Sequence, residues 1–208
     1  METLDLLIDS LIQDGYLKSQ AIIDAFKSID RKDFVPGDLK DRAYDNTALP
    51  IGFKQTISQP LVVAFMLELL EPRQGEKILE VGTGSGWKTG LLAQLVGEQG
   101  KVYSIERVSE LQSIAKQNLT KYGVEEKGVV TLIAGDGFYG YSANAPYDKI
   151  IAAASAKEIP AAWKEQIKIG GRIVAPVEDR IEVLDKIGPN QFETKLFFGF
   201  QFVPLVSS

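Results

Sequence analysis

The chain has 208 residues and contains neither histidine nor cysteine. Without cysteine there is no disulfide, no thiolate nucleophile and no Cys-ligated metal. Without histidine the common zinc sets and the Ser-His-Asp relay are also excluded. Carboxylate, lysine, tyrosine and hydroxyl groups must therefore carry any chemistry, and no metal is expected. No apolar run approaches the roughly 18 residues of a membrane span, and the opening Met1-Glu2-Thr3-Leu4-Asp5 is acidic where a secretory signal is basic. A cytoplasmic protein with no membrane partner is expected. A net charge of -5 without a basic block argues against general nucleic-acid binding. At 45% hydrophobic and 25% charged, the chain can bury one sizeable core. A single monomeric domain over residues 1–208 is expected.

Residues 2–13 and 19–29 repeat apolar side chains at helical spacing, with Ser19 placed to cap the second run. From Arg31 to Ile57 there is no clear period, and a stretch of that length is more often a lid or binding loop than a plain connection. It delivers Lys54-Gln55-Thr56-Ile57-Ser58-Gln59-Pro60, followed by the glycine-free apolar run Pro60 to Leu70, which Glu71-Pro72 stops. The pattern then alternates. Strand-like runs at 77–81, 102–106, 129–134 and 147–153 are separated by helical segments at 87–97 and 109–122, and a helix at 159–167 and a strand at 170–174 continue the series. This predicts an α/β fold, a doubly wound, mostly parallel sheet with helices on both faces. Arg180 to Ile187 and Phe192 to Pro204 flank the turn signal Gly188-Pro189-Asn190 too closely for a crossover, so an antiparallel hairpin is expected to finish the sheet. The chain divides into N-terminal helices and active-site loop (1–58), a cofactor-binding core (59–178) and a C-terminal hairpin (179–208).

The first strand runs into Val81-Gly82-Thr83-Gly84-Ser85-Gly86-Trp87-Lys88-Thr89. A glycine turn between strand and helix brings backbone N–H groups close to a ligand. Three ligands are compatible with a loop of this kind. The dinucleotide fingerprint G-x-G-x-x-G needs glycine where bulky Trp87 stands, and a phosphate-binding G-x-x-x-x-G-K-[ST] loop fails at the same residue. What remains is G-x-G-x-G with Glu80 before it, Glu106 ending the second strand, and Asp136 in Gly135-Asp136-Gly137 after the third. Glu106 is placed to accept two ribose hydroxyls, and Asp136 to accept from an adenine amino group. Carboxylates repel a pyrophosphate and tolerate a sulfonium, which favours S-adenosyl-L-methionine. Each acid also has an ordinary reading as a solvated strand end.

An ordered series of motifs then resembles the protein-L-isoaspartate O-methyltransferases. It comprises Ala25-Phe26 through Arg31, Phe34-Val35-Pro36, Ala43-Tyr44, Leu49-Pro50-Ile51-Gly52, Gln55-Thr56-Ile57-Ser58-Gln59-Pro60, Leu79-Glu80-Val81-Gly82-Thr83-Gly84-Ser85-Gly86, Gly135-Asp136-Gly137, Ala145-Pro146-Tyr147-Asp148, Glu158-Ile159-Pro160, Gly170-Gly171-Arg172 and Phe202-Val203-Pro204-Leu205. The resemblance covers residues 22 to 206, and the Thr-Ile-Ser-Gln-Pro and Phe-Val-Pro-Leu segments are its most specific parts. It implies an enzyme that methylates the α-carboxylate of isoaspartyl residues in damaged proteins and peptides, after which the ester cyclises and partly reopens as aspartate. It further implies Ser58 as the catalytic residue. It implies a cofactor set of Thr56, Ile57, Glu80, Gly82, Thr83, Gly84, Glu106, Arg107, Asp136 and Gly137. The peptide groove would contain Ala153, Ala154, Val203 and Val206, with the terminal strand 202–206 as one wall. Phe53-Lys54 replaces a region where relatives often carry histidine, Trp87 stands where tyrosine is common, and Ser155 follows Ala153-Ala154 in place of proline or alanine.

Such a reaction needs no histidine, because a carboxylate of pKa about 4 is already ionised at neutral pH. Ser58 would then orient the acceptor and not attack it. On residue physics alone it reads as a helix cap before Pro60, and the two roles are compatible. Trp87 and Tyr141 read as packing, Lys88 as a solvated helix-start residue and Arg172 as a turn-edge charge. Other readings are a methyltransferase of the same fold acting on another carboxylate or a small molecule, a cofactor-binding protein without catalysis, and an NAD enzyme.

Overall fold

The structure is a computed structural model and describes residues 3–206, so Met1 and Glu2 of the acidic start lie outside it. Two antiparallel helices open the chain, α1 (Leu4–Gln13) and α2 (Gln20–Ser28). Leu7, Ile8 and Leu11 of α1 and Ile22, Ile23 and Phe26 of α2 form their buried stripes. The Thr3 hydroxyl caps α1 by accepting from the Leu6 N–H at 3.3 Å. Ser19 stands at the N-cap of α2 but makes no capping bond. Its hydroxyl instead donates to Glu68 Oε2 at 2.6 Å, tying the turn to α3 (Pro60–Leu70).

The stretch 31–57 is more ordered than its sequence suggests. It holds two 3-10 turns, Arg31–Phe34 and Gly37–Arg42, and a hairpin of β1 (Leu49–Gly52) and β2 (Gln55–Ile57). Helix α3 keeps the expected bounds. Pro60 begins it, where a missing N–H costs nothing, and Glu71 ends it in the left-handed region at φ 52°.

The main sheet has seven strands: β3 (Lys77–Val81), β4 (Lys101–Glu106), β5 (Val130–Ala134), β6 (Tyr147–Ala152), β7 (Ile167–Val177), β8 (Arg180–Gly188) and β9 (Gln191–Phe198). Their order is β5-β4-β3-β6-β7-β8-β9. The pairs from β5 through β7 are parallel, while β7-β8 and β8-β9 are antiparallel. Strand alternation splits the core. Ile78, Val102, Ile151 and Val174 face α1 to α3, α4 (Trp87–Val96) and α5 (Ser109–Thr120), whereas Leu79, Ile105, Ile150 and Ile173 pack with Trp163 of the short α6 (Ala161–Gln166). Trp163 is fully buried, and its indole N–H donates to the Gly137 carbonyl at 2.8 Å.

Two boundaries differ from expectation. β7 begins at Ile167, directly after α6, with β-branched Ile167, Ile169 and Ile173 extending the strand through Gly170-Gly171. β9 ends at Phe198, so residues 202–206 are not a strand of the sheet. They make only one isolated bridge, Ser155 to Pro204. Arg172 is no solvated turn charge. Its guanidinium pairs with Asp185 at 2.6 Å and Glu71 at 2.7 Å and donates to the Leu69 carbonyl, joining the end of α3 to the hairpin.

Candidate active site

The sheet order reverses at β3 and β6, and in an open α/β sheet the crevice beyond the carboxyl ends of such strands is where ligands bind. A cavity of about 390 Å³ opens there. Gly82 and Gly84 after β3, Glu106 and Arg107 ending β4, Gly135 and Gly137 after β5, and Ala153 and Ala154 after β6 all line it. Two of these turns need glycine. Gly82 has φ +89°, and a Cβ there would stand 3.2 Å from that of Ala153. A Cβ on Gly137 would collide with Val81.

Glu106 is 7% exposed and organises this end of the sheet. Its carboxylate accepts from the N–H groups of Gly84 at 2.9 Å, Arg107 at 2.9 Å and Val108 at 3.0 Å. A carboxylate offers about four acceptor positions, so these bonds leave capacity for a hydroxyl donor in the cavity. Among the described residues Glu106 is the only carboxylate lining it, and Val62, Val81, Ile105 and Leu111 supply apolar wall. A volume in the range of small-molecule sites, a glycine cradle and one strand-end acid fit a nucleoside without phosphates.

The other two expected acids do not line this cavity. Glu80 is fully buried, its Oε2 accepting from Thr89 at 2.5 Å and Ser104 at 2.7 Å, and it lines neither this cavity nor the smaller one beside it. Burial pushes its carboxyl up, and the Lys88 charge at 3.7 Å pulls against that shift. Lys88 is itself buried, which pushes its ammonium down against the attraction of Glu80, so it is not a solvated helix-start residue. The cause is α4, which packs all round and turns even its first residues inward. Asp136 caps the short turn Gly137–Tyr139 by accepting from the Phe138 N–H at 2.9 Å, and lies beside the cavity between two glycines that line it.

Thr56 and Ser58 form part of the opposite wall. Ile57, between them, is buried and lines with Thr83 a second, smaller cavity. What places Ser58 is Arg31, a residue to which the sequence reading gave no role. Its fully buried guanidinium donates to the carbonyls of Ala43 at 2.7 Å, Asp45 at 3.2 Å, Thr47 at 2.9 Å and Ser58 at 3.1 Å, and lies 5.4 Å over the Trp87 ring. Burial lowers its pKa to about 10, against the attraction of Asp45, which leaves it charged at neutral pH. No local pattern marks a side chain whose partners are distant carbonyls. Ser58 is not the cap of α3. Gln59 occupies that position without a side-chain bond, and the Ser58 hydroxyl has no hydrogen-bond partner among the described residues.

The outer wall is the segment Gln201 to Val206. The Ser155 N–H donates to the Val203 carbonyl at 2.8 Å, the Leu205 N–H donates to the Ser155 carbonyl at 2.7 Å, and Arg107 donates to the Val206 carbonyl. Val203 and Val206 thus join Ala153 and Ala154 across one cavity, although no sheet strand carries them. A proline at position 155 would remove the first of these bonds.

Comparison with known proteins matches residues 2–208 to the family described as protein-L-isoaspartate(D-aspartate) O-methyltransferase. A protein-L-isoaspartate O-methyltransferase of Ignicoccus hospitalis is 46% identical over 204 residues, 96% of this chain and 95% of that protein. A solved protein-L-isoaspartate O-methyltransferase superposes with a TM-score of 0.86 at 27% identity, covering 99% of this chain and 66% of that one. A second solved structure, from Plasmodium falciparum and in complex with S-adenosyl-L-homocysteine, shares the fold with a TM-score of 0.88 at 20% identity, covering 99% of both chains.

Proposed function

The chain belongs to the protein-L-isoaspartate(D-aspartate) O-methyltransferase family, and on that premise we propose how its cavity divides the work of methylating the α-carboxylate of isoaspartyl residues in proteins and peptides. It is an S-adenosyl-L-methionine-dependent methyltransferase. When bound, the cofactor supplies an electrophilic methyl group on a sulfonium. Gly82 and Gly84 bring backbone to its side of the cavity, Glu106 accepts its hydroxyls, and Thr56, Gly135 and Gly137 close around it. Ala153, Ala154, Val203 and Val206 hold the acceptor chain.

The observation that carries this reading is the Ser58 hydroxyl, without a hydrogen-bond partner among the described residues, in the same cavity as the glycine turn and Glu106. The acceptor arrives as an anion, so a chain without histidine lacks nothing that the step requires. Ser58 donates a hydrogen bond to one carboxylate oxygen and turns the other toward the transferring group. Positioning of this kind supplies most of the rate in a simple displacement. The Gln201 to Val206 wall excludes water.

Residues 1–208 act as one unit, a reading supported by two hydrophobic clusters that share the strands of one sheet, the larger running from Leu7 to Val183. We place it as a cytoplasmic monomer without a nucleic-acid partner; the net charge of -5 supports the last point, and no helix among the described residues is long and apolar enough to cross a membrane. Incubation of purified protein with methyl-labelled cofactor and an isoaspartyl peptide is expected to label the peptide. No transfer, under conditions where another family member labels the same peptide, would overturn the assignment.

A further inference from the structure

A second cavity of about 50 Å³ adjoins the main one and shares Thr56, Ser58, Gly82, Gly84 and Ala153 with it. Lys88 lines this smaller space. The residue is 9% exposed, and the partner of its ammonium is Glu80. Its Nζ stands 3.7 Å from Glu80 Oε1, too far for a hydrogen bond. Glu80 Oε1 is itself buried without a hydrogen-bond partner. The two groups are held as an ion pair, which engages at most one of the three donors of the ammonium. Buried charges are not left bare, and a cavity of this size with hydroxyl neighbours has room for one or two waters.

The main cavity poses the complementary problem. Its acceptor is an anion, yet its charged lining residues are Glu106, of the same sign, and Arg107, which is engaged by the Val206 carbonyl. Lys88 answers that need. Thr89 and Ser104 hold Glu80 on the far side of the pair, so the ammonium and not the carboxylate borders the small cavity. Ser58 bounds both spaces. A carboxylate bonded to Ser58 and the Lys88 ammonium therefore border one small space that can hold a bridging water. Resting on the methylation reading above, we propose that Lys88 is a positioning residue for the acceptor carboxylate, acting through water held between it and Ser58. It selects an anionic acceptor without touching it.

Removing Lys88 alone leaves Glu80 charged and buried, so the informative protein is Lys88→Met combined with Glu80→Gln, which removes both charges. Peptide KM, kcat and the affinity for S-adenosyl-L-homocysteine are measured together. The expected result is a peptide KM raised about tenfold, with product affinity changed less than about twofold. A peptide KM within about twofold of the wild type would overturn the proposal, because a purely structural pair predicts full recovery once both charges are gone. Should the double variant not fold, the Lys88 ammonium is followed by magnetic resonance in wild-type protein carrying isotope-labelled lysine, assigned with Lys88→Arg. Its signal is expected to shift on adding an isoaspartyl peptide and not on adding product cofactor alone. An unmoved signal would overturn the proposal. Failure of the wild type to methylate the peptide at all would remove the reading beneath it, and is seen before any variant is made.

Discussion

On the proposed reading Ser58 orients the acceptor because its hydroxyl has no hydrogen-bond partner among the described residues. A serine at a helix start ordinarily spends its hydroxyl on the helix, but here Gln59 takes the cap position and Arg31 holds the Ser58 carbonyl, leaving the hydroxyl to the cavity. Ser58→Ala should therefore leave thermal stability and product affinity unchanged. It should lower kcat/KM for an isoaspartyl peptide by about tenfold to a hundredfold, the worth of one hydrogen bond to a charged group. A variant that loses stability and keeps its turnover would restore the capping role. Residue types were legible in the sequence where chemistry restricts them, as at Gly82, Gly84 and Glu106. Direction was not. Glu80 and Glu106 both end strands as acids, and only the packing of α4 turns the first inward to Thr89 and Ser104.

Among the elements, the β1-β2 hairpin is the one built against local preference. Gly52 and Gln55 pair, so Phe53 and Lys54 are the two central turn residues, at φ 51° and 58°. Both positions of such a turn favour Asn-Gly, because a Cβ in the left-handed region costs roughly 1–2 kcal/mol. The double substitution Phe53→Asn with Lys54→Gly is expected to raise the unfolding temperature, by about 2–4 °C for each kcal/mol recovered in a chain of this size. An unchanged or lower value would show that the Phe53 and Lys54 side chains stabilise the hairpin by more than the strain. The same hairpin explains why 31–57 read as a shapeless loop. Its order comes from the buried Arg31 and from paired segments of three and four residues, too short to show a period. Longer elements with an apolar stripe, such as α3 and β3, were legible to the residue. The end of β9 was not, since Phe200 and Phe202 continue a strand-like pattern while Phe200 stacks on Phe65 and Phe202 lines the cavity.

At the scale of the whole molecule, carboxylates tie distant parts of the chain together. Burial pushes Asp148 up, but hydrogen bonds from Lys168 and the Lys77 N–H outweigh it and hold the carboxyl below its usual value. Asp33 is likewise held low by Lys121 and Tyr122 against its burial, and Glu71 by Arg172. A carboxyl depressed in the folded state contributes stability that is present above its unfolded pKa of about 4 and is lost as pH falls through the folded value. Unfolding temperature should accordingly hold near neutral pH and fall as the solution is acidified below about pH 4. Asp148→Asn should flatten part of that fall, and an acid profile identical to the wild type would contradict the assignment. The same frame sets four strand ends, the Ser58 loop and the C-terminal wall around one cavity, and the central claim is that this cavity recognises an isoaspartyl carboxylate. The most direct measurement is methyl transfer to an isoaspartyl peptide beside its normal aspartyl twin of identical sequence. The account predicts that the isoaspartyl peptide is methylated and its twin is not; equal methylation of both would contradict it.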